Sequence, residues 1–261
     1  KPEKRMFLAI DAGNSNVVFA LFDSKSGKWT NQFRLETKTP KLISQLSKKV
    51  PLYFLEHDIH VSQIEKIGFS SVVPEINGII EQFCESFFGQ SPYLIQPESF
   101  SALPVKALRP NEIGSDLMCN VMAAFSRFQG PVIIVDFGTA LTFTAVGQSG
   151  EIMGVNIVPG LQTAIKALFM NTSKLPEVEL KLPESALGKN TIHAIQAGVL
   201  YGYTGLVKGM LEAIRKETGL SFTVVATGGL SSILTSLEGE FDEVDRNLTL
   251  EGLRLIAEAN F

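Results

Sequence analysis

The sequence predicts an α/β protein in which one mixed-sheet plan is used twice, and three observations carry that expectation. Phe7-Leu8-Ala9-Ile10-Asp11-Ala12-Gly13-Asn14-Ser15 leads into the apolar Val17-Val18-Phe19-Ala20. About half a chain later, Val132-Ile133-Ile134-Val135-Asp136-Phe137-Gly138-Thr139 leads into Leu141-Thr142-Phe143-Thr144. Each copy is an apolar strand ending in an acid, then a D-x-G turn, then a second strand. The third observation is the order around each copy: three strands, then helix, strand, helix, strand, helix.

Taken in order, 6–11, 17–23 and 29–36 read as an antiparallel meander with Ser24-Lys25-Ser26-Gly27 as its second turn. A helix is expected over 41–50, ending before Pro51, because an interior proline removes a helix hydrogen bond. A buried strand over 64–73 stops at Pro74, a helix covers 75–88, and Tyr93-Leu94-Ile95 is a short strand. Pro97 to Pro110 reads as loop, and a helix runs from near Glu112 to Phe128. Gln129-Gly130-Pro131 divides the chain into an N-terminal domain, 6–129, and a C-terminal domain, 130–261, with an intervening cleft.

The second half reads as strands over 132–136, 141–146 and 152–158, stopped by Pro159-Gly160. A helix follows over 161–170 and, after a loop through Pro176 and Pro183, a long one over 191–217. Gly198, Gly202, Gly205 and Gly209 give that helix small faces suited to close packing. A strand over 221–226, the turn Thr227-Gly228-Gly229 and a helix over 250–260 complete the series.

Composition narrows the function. At 261 residues, 45% apolar and 19% charged, the chain is an ordinary globular mixture with length for two cores. A formal net charge of −4 removes the broad basic footprint of nucleic-acid binding, so no nucleic-acid partner is expected. No apolar run approaches the roughly 20 residues of a membrane span, and a soluble cytoplasmic protein is the natural expectation. Lys1 to Arg5 is a charged extension before Met6, a position that suits a natural start. Cys84 and Cys119 lie in expected helices without C-x-x-C spacing and read as buried apolar thiols. His57 and His60 lack a third ligand and read as solvated side chains.

The chemistry concentrates in the glycine turns. Gly13 opens the first, and Asn14, Ser15 and Asn16 present amides and polar side chains together, which suits phosphate oxygens. Asp11 stands at the strand end, where a Mg2+ ion can meet it directly or through water. Asp116, in Arg109-Pro110-Asn111-Glu112-Ile113-Gly114-Ser115-Asp116, lies near a helix start. It reads either as a general base in phosphoryl transfer or as a helix cap. Thr227-Gly228-Gly229 sits at a strand exit, suited to pass beneath a base or ribose or simply to change direction. Neither a Walker A pattern nor G-x-G-x-x-G occurs.

These segments resemble type III pantothenate kinases. The resemblance rests on Asp11-Ala12-Gly13-Asn14-Ser15, on Pro110-Asn111-Glu112-Ile113-Gly114-Ser115-Asp116, and on Asp136-Phe137-Gly138-Thr139-Ala140. Pro159-Gly160, Gly188-Lys189-Asn190-Thr191 and Thr227-Gly228-Gly229 follow in the family's order and spacing. The resemblance implies an actin-like (ribonuclease H-like) kinase fold and ATP-dependent phosphorylation of pantothenate, the first step of coenzyme A synthesis. It also implies a need for K+ (or NH4+) with Mg2+, and a homodimer. By motif, Asp11, Ala12, Gly13, Asn14, Ser15, Asn16, Val17 and Val18 resemble the ATP phosphate loop, and Thr139 the ATP-contacting threonine. Asp116 is similar to the proton acceptor and Asp136 to the K+ ligand. Gly114, Ser115, Asp116, Leu117 and Thr191 would touch pantothenate.

This chain departs from the family pattern at several places. Leu117 stands where an arginine usually follows the acceptor aspartate, Ala107 matches a common tyrosine, and Leu141 replaces a threonine. Val155 interrupts the usual Gly-Gly-x-Ile-x-Pro-Gly. If pantothenate is the acceptor, another polar group is expected to replace the arginine, and Arg109 is the nearest basic candidate in sequence. The alternative reading is a catalytically weak relative with a nucleotide-binding or regulatory role, of the kind labelled Bvg accessory factor.

Overall fold

The structure is a computed structural model that describes residues 5–231 and 233–261, except for the side chain of Thr39. Residues 1–4 of the charged extension therefore lie outside the described residues. Two five-stranded sheets share one strand order. The first runs β3-β2-β1-β4-β5, from β1 (Met6–Ala12), β2 (Asn16–Asp23), β3 (Lys28–Glu36), β4 (Ile64–Ser71) and β5 (Tyr93–Leu94). The second runs β10-β9-β6-β7-β8, from β6 (Val132–Phe137), β7 (Ala140–Val146), β8 (Ile152–Pro159), β9 (Thr223–Thr227) and β10 (Glu243–Val244). In each sheet the first three strands form an antiparallel meander, and the next pairs parallel to the first. The duplication expected from the two acid-ended strands is thus present strand for strand.

By packing, the chain forms two compact units. One holds the residues up to Leu103, then Arg109–Ala123 and Thr249–Phe261; the other holds Pro104–Leu108 and Ala124–Leu248. A single cut in sequence order does not follow this division, because the final helix, α6 (Leu248–Asn260), packs almost entirely in the first unit.

In the first unit, Leu8, Ile10, Phe19 and Leu21 build a core with α1 (Thr39–Glu56) and α2 (Asn77–Phe88). Helix α1 does not end before Pro51 but continues to Glu56. Leu42, Leu46, Val50 and Phe54, each four residues from the next, are all buried, so the apolar stripe crosses the proline unbroken. Burying Phe54 and packing Tyr53 on Phe33 at 4.2 Å offset an interior-proline cost of roughly 3 kcal/mol. Helix α3 (Ser115–Phe128) starts three residues later than expected, after turns through Arg109–Gly114.

In the second unit, Ile133, Val135 and Phe137 pack with Leu161 of α4 (Leu161–Met170) and with Leu200, Val207 and Leu211 of α5 (Thr191–Thr218). Helix α5 opens on Asn190, whose Oδ1 accepts from the His193 amide at 2.9 Å, and closes on Gly219 at φ 68°. A Cβ at Gly198, Gly202, Gly205 or Gly209 would meet nothing within 4 Å. Among the described residues, then, nothing packs closely on these glycines. The short edge strand β10 has only two residues and no apolar alternation, so periodicity did not mark it.

Candidate phosphate turns and acceptor acid

Strand β1 alternates. Met6, Leu8, Ile10 and Ala12 enter the core, while Phe7, Ala9 and Asp11 occupy the opposite face. Asp11 is flanked in register by Val18 on β2 and Ser70 on β4. The turn beyond it is held by Gly13 N–H donating to the Asn16 carbonyl at 2.9 Å. The Thr37 hydroxyl donates to the Gly13 carbonyl at 2.7 Å, and the Thr37 amide to Ser15 at 3.2 Å. Asn14, Ser15 and Asn16 stay exposed. A Cβ at Gly13 would meet only the Asn16 carbonyl, at 3.5 Å, so the fold itself does not demand glycine there.

The acceptor motif joins the same unit through Ser115. Its hydroxyl lies 2.9 Å from that of Ser70 and donates to the Ser71 carbonyl at 3.2 Å. Ser115 is the first residue of α3, so Asp116 is inside the first turn and not at the preceding cap position. Its Oδ1 accepts from the Leu117 amide at 2.8 Å. A Cβ at Gly114 would lie 2.5 Å from that oxygen, so glycine at 114 leaves the carboxylate its room. Burial pushes the Asp116 carboxyl above its ordinary pKa, opposed in part by the Leu117 amide.

Asp11 and Asp116 are linked through two serines: Ser70, the parallel-strand neighbour of Asp11, bonds at 2.9 Å to Ser115, the residue before Asp116. The Cys119 pKa is raised first by burial, then by the charges of Asp11 and Asp116, against a lowering contact from Ser70. Strand β1 and helix α3 therefore bring the two acids to one place. Beside them is a cavity of about 260 Å3 lined by Ser71, Ile95, Gln96, Asn111, Gly114 and Ser115, among others. Arg109 is absent from its lining; exposed, it donates to both Glu112 carboxylate oxygens, at 3.0 and 3.3 Å.

In the second unit, Asp136 is flanked in register by Thr142 on β7 and Thr227 on β9. The Gly138 amide donates to the Ala140 carbonyl at 3.1 Å, closing the turn. The Thr139 carbonyl accepts from the Gly160 amide at 2.9 Å and the Thr163 hydroxyl at 2.7 Å, so Pro159-Gly160 buttresses this turn. Thr227-Gly228-Gly229 lies on it too. Gly228 has φ 92°, and a Cβ there would sit 2.6 Å from the Phe137 carbonyl and 2.7 Å from Asp136 Oδ1. That glycine is required by the fold, unlike Gly13.

Thr191 opens α5 in a separate cavity of about 590 Å3, lined by Leu168, Leu175, Lys189, Asn190 and Ile195 among others. Within the first unit, Asp11 is brought to Gly114, Ser115 and Asp116; within the second, Asp136 stands by Thr139, and Thr191 lines the larger cavity. Leu117 contributes its amide to Asp116 and leaves its side chain half-buried. Sequence reasoning gave no part to Thr37, Ser70 or Thr142 and named Thr227 only within its glycine turn; their places beside these acids and turns depend on strand register. His57 Nδ1 lies 2.9 Å from the Tyr53 carbonyl, and its ring stacks on Tyr53. Among the described residues, no group of three or more His, Cys, Asp or Glu side chains is placed to hold a metal ion, and no helix is long and apolar enough to cross a membrane.

Comparisons with known proteins bear on the family and the fold. A sequence profile of the family described as type III pantothenate kinase matches residues 7–213. A type III pantothenate kinase of Citrifermentans bemidjiense is 39% identical over 255 residues, spanning 98% of this chain and 100% of the relative. Among solved structures, a 2-dehydro-3-deoxygalactonokinase candidate from Sinorhizobium meliloti superposes with a TM-score of 0.57 at 12% identity, covering 97% of this chain and 96% of that one. A Baf family protein of Campylobacter jejuni, described as a candidate transcriptional activator, gives 0.58 at 19% identity, covering 97% and 98%. At such identities these two likenesses speak to the fold alone, which is the duplicated actin-like kinase fold.

Proposed function

The chain belongs to the type III pantothenate kinase family, and from that premise we propose that it transfers the γ-phosphoryl group of ATP to the primary hydroxyl of pantothenate. The product, 4'-phosphopantothenate, opens coenzyme A biosynthesis. The observation that carries the reading is the Ser70–Ser115 bond of 2.9 Å, which ties the strand beside Asp11 to the start of the helix bearing Asp116, next to a cavity in the same unit. Transfer to an alcohol needs little covalent work from the protein. It needs positioned phosphates and an acceptor whose proton has somewhere to go.

Asp116 takes that proton. A carboxyl whose pKa is raised by burial is a stronger base than a solvated one, and Gly114 keeps the space at Oδ1 open. The amides and side chains of Asn14, Ser15 and Asn16 hold ATP phosphate oxygens, approached across Gly13, and Thr139, by its resemblance to the family's threonine, contacts ATP. Gly114, Ser115 and Leu117 border the acceptor, which the cavity of about 260 Å3 receives. Gln96 and Asn111 in its lining offer neutral hydrogen-bond donors in place of the family's arginine.

Asp11 would hold Mg2+, directly or through water, by its carboxylate oxygens. Asp136 would hold K+ or NH4+. In support, the missing side chains of Gly228 and Gly138 leave Asp136 Oδ1 uncrowded: a Cβ at either would stand 2.7 or 3.7 Å away. When bound, these cations neutralise phosphate charge that the protein alone does not balance.

The enzyme is a cytoplasmic homodimer in this reading. Exposed Phe169, Met170 and Ile192, and the open glycine face of α5, supply apolar surface in the second unit that a second copy would cover. The deciding experiment is a phosphate-transfer assay with purified protein, ATP and Mg2+, with pantothenate present or omitted and K+ present or replaced. Product formation that requires both supports the reading; tight ATP binding with no transfer to pantothenate rejects it.

A further inference from the structure

The duplicated sheets place a hydroxyl residue at the same station in each unit. Ser70 on β4 is the parallel-strand neighbour of Asp11, and Thr227 on β9 is the parallel-strand neighbour of Asp136. Their circumstances differ. The Ser70 hydroxyl is satisfied within the chain by Ser115, at 2.9 Å. The Thr227 hydroxyl, in a residue only 1% exposed, is buried and has no hydrogen-bond partner among the described residues.

The same holds on the other side of Asp136. Thr142, its antiparallel neighbour on β7, also carries a buried hydroxyl without a partner. Side chains directly opposite on neighbouring strands share a face, with Cβ atoms about 5 Å apart. A buried hydroxyl left unsatisfied costs roughly 1–3 kcal/mol. Two of them stand on either side of one carboxylate, and neither is bonded to it. Gly228 and Gly138 keep side chains away from the same carboxylate.

We propose that Thr142 and Thr227 are ligands of the monovalent cation assigned to Asp136, so that the site is a three-residue row across β7, β6 and β9. This rests on the reading of Asp136 given above. A neutral hydroxyl suits a weakly hydrated monovalent ion, since it adds an oxygen without adding charge, and the one carboxylate balances the one positive charge. Thr144 supplies the internal control. Its hydroxyl is equally buried and unpartnered, but it pairs with Ile134, one row away from the acid.

The experiment measures K+ affinity by calorimetry and the K+-dependent rise in melting temperature of the full chain, for wild type, Thr142→Val, Thr227→Val and Thr144→Val. Thr142→Val and Thr227→Val are each expected to weaken K+ binding about tenfold or more and to flatten the melting response, while Thr144→Val matches wild type. In K+-free buffer all three should be at least as stable as wild type, because a partnerless hydroxyl has been replaced by a methyl group of similar shape. Thr227→Ser, which keeps the oxygen, should retain the K+ response even if Thr227→Val does not fold. Unchanged K+ affinity in Thr142→Val and Thr227→Val would overturn the threonine assignment alone. A wild type with no K+ response, in binding or in melting, would overturn the Asp136 assignment with it.

Discussion

The hydroxyls of Ser70 and Ser115 share a buried hydrogen bond of 2.9 Å, which ties the first residue of α3 to the strand beside Asp11. The bond fixes where α3 begins, and so fixes Asp116 one residue later. Two segments 45 residues apart are thereby held in one register.

Asp116→Asn should preserve the fold and ATP affinity while reducing phosphoryl transfer by at least about 100-fold, the usual lower range for loss of a general base. Asparagine keeps an Oδ1 to accept from the Leu117 amide but cannot take the acceptor's proton. Single-turnover kinetics with calorimetric ATP binding check both halves. Near-wild-type turnover removes Asp116 from the chemistry.

The same variant should be more stable than wild type at neutral pH. The Asp116 pKa is raised in the folded protein, so the unfolded chain releases this proton first as pH increases. The stability linked to this group is complete below the ordinary aspartate pKa and is lost as pH climbs toward the raised value. Asparagine escapes that loss. Melting curves should show a gain over wild type at pH 7 to 8 that shrinks below about pH 4. A constant difference across the range would contradict the linkage.

Gly13→Ala should leave thermal stability nearly unchanged, because the added methyl meets only the Asn16 carbonyl, at 3.5 Å. If the phosphate turn is approached by ATP across that position, the KM for ATP should rise about tenfold, roughly 1.4 kcal/mol. An unaltered KM for ATP would move the phosphates elsewhere.

Arg109→Ala should change the KM for pantothenate less than about twofold and stability by under about 0.5 kcal/mol, as expected for an exposed ion pair. The guanidinium is engaged by Glu112 at 3.0 Å and does not line the acceptor cavity. Steady-state kinetics decide this. A selective rise in the pantothenate KM would restore Arg109 as the substitute for the arginine replaced by Leu117.

Gly252→Ala should destabilise the protein. A Cβ there would lie 1.7 Å from the Cys119 carbonyl oxygen, a backbone atom that cannot swing aside. Overpacking of about 3 kcal/mol, less about 1 kcal/mol for alanine's better helix propensity, leaves a loss of about 2 kcal/mol. Urea unfolding measures it. No loss would mean that α6 shifts freely against α3.

Much of this was legible in the chain because local patterns and tertiary demands agreed. The paired acid-ended strands, the glycine turns and helix α4 stand where periodicity and punctuation put them. Helix α1 was misread because Pro51 is a local signal, whereas the buried stripe from Leu42 to Phe54 is a tertiary one, and the burial prevailed. The start of α3 was misread for a similar reason: Glu112 looks like a helix opening, but the Ser115 hydroxyl is claimed by Ser70 and Ser71. At the site, individual acids could be named from motifs. Their neighbours could not, since pairing Thr227 with Asp136 or Ser70 with Asp11 requires register across strands far apart in sequence.

The placement of α6 bears on how the protein is made. Gly252 meets Cys119, Thr249 donates to Asn120 at 2.7 Å, and Leu253 and Ala257 stand over Gly68 and Phe7. A ribosome delivers the rest of this face more than a hundred residues before its cover, a delay on the order of ten seconds at ordinary elongation rates. During that interval the second unit is being synthesised while the first waits with Phe7, Gly68 and Cys119 uncovered. A nascent chain halted before Thr249 would be a target for chaperones on the face that later holds Asp11 and Asp116.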